Sequence, residues 1–144
     1  MRTVLANIVM AFTLLHCQSG YSCTALFVTD AWIREPPPMA KIAAGYFAIE
    51  NRSDRELTVT ALSSNCCERI EMHRTILTGD RASMSPIDEL TIPPHDTVKF
   101  SPGGSHLMLI HPRIAMGQGK LVDIEFQCVD GAVSQTSFEI VTVR

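Results

Sequence analysis

The sequence predicts an all-β fold, an antiparallel β-sandwich or a small barrel. Three observations carry this. Eight short runs are rich in β-branched or alternating apolar residues. Clusters of Pro, Gly, Asn, Asp and Ser separate those runs at the spacing of turns. Helical periodicity is almost absent after residue 23.

The first run, 26–32, gives way to Glu35-Pro36-Pro37-Pro38, where successive prolines remove the backbone donors a strand needs. Run 42–50 closes at Asn51-Arg52-Ser53-Asp54, and run 56–62 follows. Run 69–77 stops at the turn Thr78-Gly79-Asp80. Run 97–100 sits between Pro93-Pro94-His95-Asp96 and Ser101-Pro102-Gly103-Gly104, and 106–110 comes after it. In run 121–129, Leu121, Asp123 and Glu125 alternate with Val122, Ile124 and Phe126, the pattern of one wet and one buried face. The turn Asp130-Gly131 leads to the last run, 134–143. No repeat and no linker divides the chain. A length of 144 residues is one domain's worth.

Composition narrows the function. Apolar residues make up 46% and charged residues 19%, which supports a core and argues against disorder. Twelve Lys+Arg against fifteen Asp+Glu give a formal charge of −3. No basic run could neutralise a line of phosphates, so nucleic acid is not an expected partner. Aromatics are only 6%, whereas Met reaches seven and His five. The Met count matters because thioethers are soft metal ligands.

The N-terminus reads as a secretory signal. Arg2 precedes an apolar stretch, 4–15, and then the small and polar Ser19, Gly20 and Ser22. The stretch is short for a membrane span. The expected layout is a signal peptide over 1–23 and one exported domain over 24–144. Removing 1–23 takes away Arg2 and no acid, so the formal charge moves from −3 to −4. Leu14-Leu15-His16-Cys17 loosely resembles a lipid-attachment signal, although bulky His16 stands where such sites take a small residue. With Cys17 and Cys23 leaving or at the edge, Cys66, Cys67 and Cys128 remain. Two readings stay open: a disulfide from Cys66 or Cys67 to Cys128, or small buried thiols.

Candidate ligands lie between Glu71-Met72-His73 and His106-Leu107-Met108. On a strand, His106 and Met108 share a face, with roots about 7 Å apart, and Leu107 and Leu109 take the other. Met84 lies in the polar stretch Arg81-Ala82-Ser83-Met84-Ser85-Pro86 after the Gly79-Asp80 turn, where a core role has little support. His73 is expected opposite Ile70, Met72 and Arg74. Singly, each residue is ordinary: strand Met usually fills a core and His usually sits at a surface. Together, two Met and two His with no nearby carboxylate or Cys form a soft, uncharged set. Such a set suits Cu(I) rather than Ca²⁺, Mg²⁺ or structural Zn²⁺.

Competing functions have weaker support. A blue-copper site needs a Cys thiolate with two His and an axial Met, and no His or Met follows Cys128 closely. His95, Asp96, Ser105 and His111 match no Gly-x-Ser-x-Gly elbow and no His-Glu-x-x-His motif, so no enzyme is expected. A thiol reductant built on Cys66-Cys67 lacks Cys-x-x-Cys spacing.

The spacing His73, ten residues, Met84, twenty-one residues, His106, one residue, Met108 resembles the signature of the periplasmic PCu(A)C copper chaperones, with every position filled. Its surroundings agree: Asp30-Ala31-Trp32-Ile33-Arg34, Ala43-Ala44-Gly45-Tyr46-Phe47 leading to Asn51, Ile92-Pro93-Pro94, and Pro102-Gly103-Gly104-Ser105. The likeness runs over roughly 28–143.

The resemblance implies a cupredoxin-like β-barrel holding one Cu(I) at an accessible edge through His73, Met84, His106 and Met108. It further implies copper delivery for the cytochrome c oxidase copper centres, to an oxidase subunit or another assembly chaperone. A different role in periplasmic copper homeostasis or thiol redox chemistry is the alternative. The family varies at Met72, and strand alternation turns that residue from His73. Cys66, Cys67 and Cys128 lie outside the family's metal motif. The chain ends at Val143-Arg144 without the His-rich tail some members carry, so a second, Cu(II)-type site is not expected.

Overall fold

A computed structural model describes residues 23–142. Residues 1–22 of the expected signal segment, Cys17 among them, and the last two residues lie outside the described residues. A short 3₁₀ turn, Cys23–Ala25, leads into ten strands: β1 (Leu26–Arg34), β2 (Ile42–Asn51), β3 (Leu57–Ser63), β4 (Cys67–Thr78), β5 (Arg81–Ile87), β6 (Leu90–Ile92), β7 (Thr97–Phe100), β8 (Ser105–Pro112), β9 (Leu121–Cys128) and β10 (Val133–Val141). All eight expected runs are strands. Two short ones, β5 and β6, are additional.

The hydrogen-bonded path runs β5-β4-β8-β2-β1-β10-β9-β3-β6. Every pairing on it is antiparallel except β1 with β10. Strand β2 serves two neighbours along one edge: Ile42–Gly45 pairs with β8, and Phe47–Glu50 pairs with β7. The sheet closes around one core, giving the all-β, cupredoxin-like sandwich. Phe47 on β2 meets Phe126 on β9 and Phe138 on β10 edge-on, at 5.3 and 5.9 Å between ring centroids. Both partners are fully buried, and truncating such a Phe to Ala typically costs about 3–5 kcal/mol. In β9 the expected alternation holds residue for residue, with Val122, Ile124 and Phe126 buried and Leu121, Asp123 and Glu125 exposed.

Buried Asn51 fastens the end of β2. Its amide donates to the carbonyls of Arg55, Ile92 and Pro93, while its Oδ1 accepts from the Ser53 amide and hydroxyl. A buried amide satisfied on every side is a rigid post rather than a liability.

Of the two open readings for the cysteines, that of small buried thiols holds for Cys66 and Cys67, while Cys128 is paired with a cysteine that neither reading included. Cys128 bonds to Cys23, 105 residues away, and Cys66 and Cys67 are buried free thiols. Cys128 points inward from the end of β9, onto the turn that carries Cys23. Cys67 begins β4 and Cys66 directly precedes it, far along the sheet path from β9. Cys23 is thus buried and tied to the end of β9 in the described structure.

Candidate metal centre

The candidate site is built on β5, β4 and β8, three neighbours at one end of the sheet path. The β4–β5 hairpin turns through Gly79-Asp80, with Gly79 at φ 60°, a conformation that favours glycine and suits a two-residue hairpin. On its other side β4 pairs with β8 from Cys67 opposite Pro112 to Arg74 opposite Ser105. Residues directly opposite in an antiparallel pair share a face of the sheet.

That register decides the geometry. His73 stands opposite His106, Glu71 opposite Met108, and Thr75 opposite Met84. Glu71, His73 and Thr75 share a face by period-two alternation. All four predicted ligands therefore stand on one face of three adjacent strands, at the rim of the molecule. The two imidazoles face one another with ring centroids 6.2 Å apart. Met108 follows one row along on β8, and Met84 stands on the other side of the pair, on the hairpin.

Exposure grades across the set. His106 is only 7% exposed and the His73 side chain 14%, whereas Met84 is 62% exposed. Met72 and Leu107, which face each other across the same strands, point into the core and are buried. Met72 thus belongs to the core layer beneath the site. Gly45 on β2 lies opposite Leu107, and a Cβ there would sit 3.3 Å from both Leu107 Cβ and Leu109 Cδ1. The missing side chain lets β8 lie close on β2, which seats His106 and Met108 firmly on the outer face.

Two expectations about the surroundings need correction. Met84, whose polar stretch is not among the eight expected runs, lies on a paired strand, because residues 81–87 extend the β4 hairpin as an edge strand. The site also has a carboxylate beside it. Glu71 Oε2 is 2.9 Å from His73 Nε2, since alternation puts residues 71 and 73 on the same face. The other oxygen, Oε1, accepts from Arg69 Nε at 2.7 Å. These two contacts, Arg69's first, hold the Glu71 carboxyl below the usual carboxylate range, so it is ionised at neutral pH.

The ring nitrogens have distinct partners. His106 Nδ1 donates to the Gly104 carbonyl at 3.2 Å. His73 Nδ1 is buried and has no hydrogen-bond partner among the described residues. A buried imidazole nitrogen without a partner is costly and is what a ligand waiting for a cation looks like. Among the described residues no three His, Cys, Asp or Glu side chains are grouped to hold a metal ion. An ion seated here would need thioether donors, which disfavours Zn²⁺ and the hard cations and favours a soft monovalent one. The four residues fit Cu(I).

The all-β sandwich that carries this face is similar to solved PCuAC domains. The copper-bound PCuAC domain from PmoF2 superposes with a TM-score of 0.71 at 18% identity, covering 83% of this chain and 94% of that one. The CuI-DR1885 solution structure from Deinococcus radiodurans superposes at 0.66 with 21% identity, covering 85% and 82%. At these identities the likeness establishes the fold. By sequence, the LpqE-like family model matches residues 26–140, and the chain belongs to that family. A curated relative, "Putative lipoprotein Lxx21020" from Leifsonia xyli subsp. xyli (strain CTCB07), is 20% identical over 122 residues, 84% of this chain and 72% of the relative.

Proposed function

We propose that the protein is an exported copper(I) chaperone whose cargo is one Cu(I) held by His73, Met84, His106 and Met108. The register across β5, β4 and β8 carries this reading, because it gathers four soft or borderline donors, remote in sequence, onto one face. Relatives add support: the PmoF2 PCuAC domain and DR1885 have copper-bound structures, and the chain's family is one of putative LpqE-like lipoproteins. Among the described residues no helix is long and apolar enough to cross a membrane. A signal segment ahead of Cys23 directs the chain to the periplasm, and a lipid anchor, where one is attached, would sit on Cys17 with cleavage just before that residue.

A chaperone must shield its cargo from solvent and still release it. His73 and His106, recessed in the face, hold the ion, while Met84 on the exposed hairpin is the donor an incoming ligand displaces first. Neutral thioethers exchange with a partner's ligands more readily than a buried thiolate would. The recipient is a cytochrome c oxidase subunit, or another assembly chaperone, that completes the oxidase copper centres.

Titration of the reduced protein with Cu(I) against a chromophoric chelator tests the reading. One equivalent bound per chain is expected, followed by loss of that equivalent to an oxidase copper-domain acceptor. A chain that leaves all Cu(I) with the chelator is not a copper chaperone.

A further inference from the structure

We infer that Glu71 is a positioning residue that sets which nitrogen of His73 faces the cargo, an inference that rests on the copper reading above. An ionised carboxylate has only lone pairs to offer, so in the 2.9 Å contact His73 Nε2 carries the proton and donates it to Glu71 Oε2. In a neutral ring the second nitrogen then keeps its lone pair. That nitrogen is Nδ1, the buried atom without a partner. His106 is set the opposite way: a carbonyl can only accept, so the proton sits on Nδ1 and the free lone pair is on Nε2. The two facing imidazoles therefore offer unlike atoms to one ion, Nδ1 from His73 and Nε2 from His106.

Glu71 also fixes the ring against rotation about its Cβ–Cγ bond. A half-turn would replace Nε2 by carbon against the carboxylate and carry Nδ1 to the other side. Arg69 holds the second carboxylate oxygen, so Glu71 is itself oriented and part of its charge is offset. Arg69, Glu71 and His73 stand at successive same-face positions on β4, and pairing with β8 keeps them in line. A carboxylate–imidazole–metal relay of this kind commonly changes metal affinity by about 10–100-fold when its carboxylate is removed.

The test uses ¹⁵N-labelled full domain, metal-free, at a pH where imidazole is neutral, followed by Cu(I) competition with a chelator. In wild type the His73 ring is expected to show a protonated Nε2 and an unprotonated Nδ1, and His106 the reverse. Glu71→Ala should mix the His73 tautomers, leave His106 and the melting temperature unchanged, and weaken Cu(I) binding about 10–100-fold. Glu71→Gln, which keeps an accepting oxygen, should restore most of the tautomer preference and of the affinity. A His73 tautomer that is unaltered in Glu71→Ala, or equal Cu(I) affinity in that variant, overturns the assignment. If wild type itself bound no Cu(I), the chaperone reading would fall, and the metal-free spectra would still decide whether Glu71 sets the ring.

Discussion

His73 and His106 stand directly opposite each other on β4 and β8, with ring centroids 6.2 Å apart and planes inclined by 30°. Two imidazoles on one four-coordinate ion at metal–nitrogen distances of roughly 2 Å have their centroids roughly 5 Å apart. The pair is thus within about 1 Å of the spacing one shared ion needs. Pairing across a register, rather than closeness in sequence, sets that spacing, because β4 and β8 are held by a long antiparallel ladder.

The His106→Ala, Met108→Ala double variant should bind no Cu(I) in a chelator competition in which wild type takes one equivalent. Leu107, Leu109 and the Gly45 contact that seat β8 are untouched by these changes. Strand content by circular dichroism should therefore match wild type. Full binding by the folded double variant would remove both residues from the ligand set.

Met84→Leu separates ligation from stability. The side chain is 62% exposed, so the unfolding free energy should move by no more than about 0.5 kcal/mol. Cu(I) affinity should fall about tenfold, equivalent to about 1.4 kcal/mol, and transfer to an acceptor should change in rate. Unchanged affinity together with an unchanged transfer rate would show that Met84 is not a donor.

The ligand types, their spacing and the shared face of His106 and Met108 are legible in the sequence because strand alternation is a local rule. So is the inward turn of Met72, which lies in the core opposite Leu107. Strand β5 is not legible. It is an edge strand with little burial, so nothing selects an apolar alternation in Arg81–Ile87, and only its pairing with β4 reveals it. The contact between Glu71 and His73 follows alternation too, but its consequence depends on Arg69 turning the carboxylate toward the ring. The Cys23–Cys128 pairing is the least local feature. No rule of spacing connects residues 105 apart, and a reading that assigns Cys23 to a leader removes the true partner.

Cys66 gives a pH dependence with a definite sign. Its thiol is lowered from 9.0 to about 7, chiefly by the hydrogen bond with the Cys67 thiol and against the effect of burial. The same contact, with burial, pushes the Cys67 thiol far above the usual range. Between pH 7 and 9 the unfolded chain then holds more protons at Cys66 than the folded one, so its contribution to stability grows across that window and is absent below it. Above pH 9 Cys67 works in the opposite sense. Under reducing conditions the urea midpoint of wild type relative to Cys66→Ser should therefore rise from pH 7 to pH 9. A difference that stays flat would show that the two thiols are not linked.

The Cys23–Cys128 bond ties the first described residue to the end of β9 and closes a loop of 105 residues. Loops of that length restrict the unfolded chain strongly, and removing a native disulfide typically costs about 2–5 kcal/mol. For a domain of this size that corresponds to a drop in melting temperature on the order of 10 °C. Cys23→Ser and Cys128→Ser should show it equally, since either change breaks the same bond. Copper binding should behave differently. Strands β2, β1 and β10 separate β8 from β9 along the sheet path, so the ladder that aligns His73 with His106 stays intact while the far edge loosens. Calorimetry should therefore show a lowered transition, and Cu(I) competition at low temperature an unchanged affinity. A Cys23→Ser variant that melted like wild type would show that the N-terminal segment contributes nothing to the fold. One that lost its Cu(I) affinity would show that the disulfide and the metal face form a single cooperative unit.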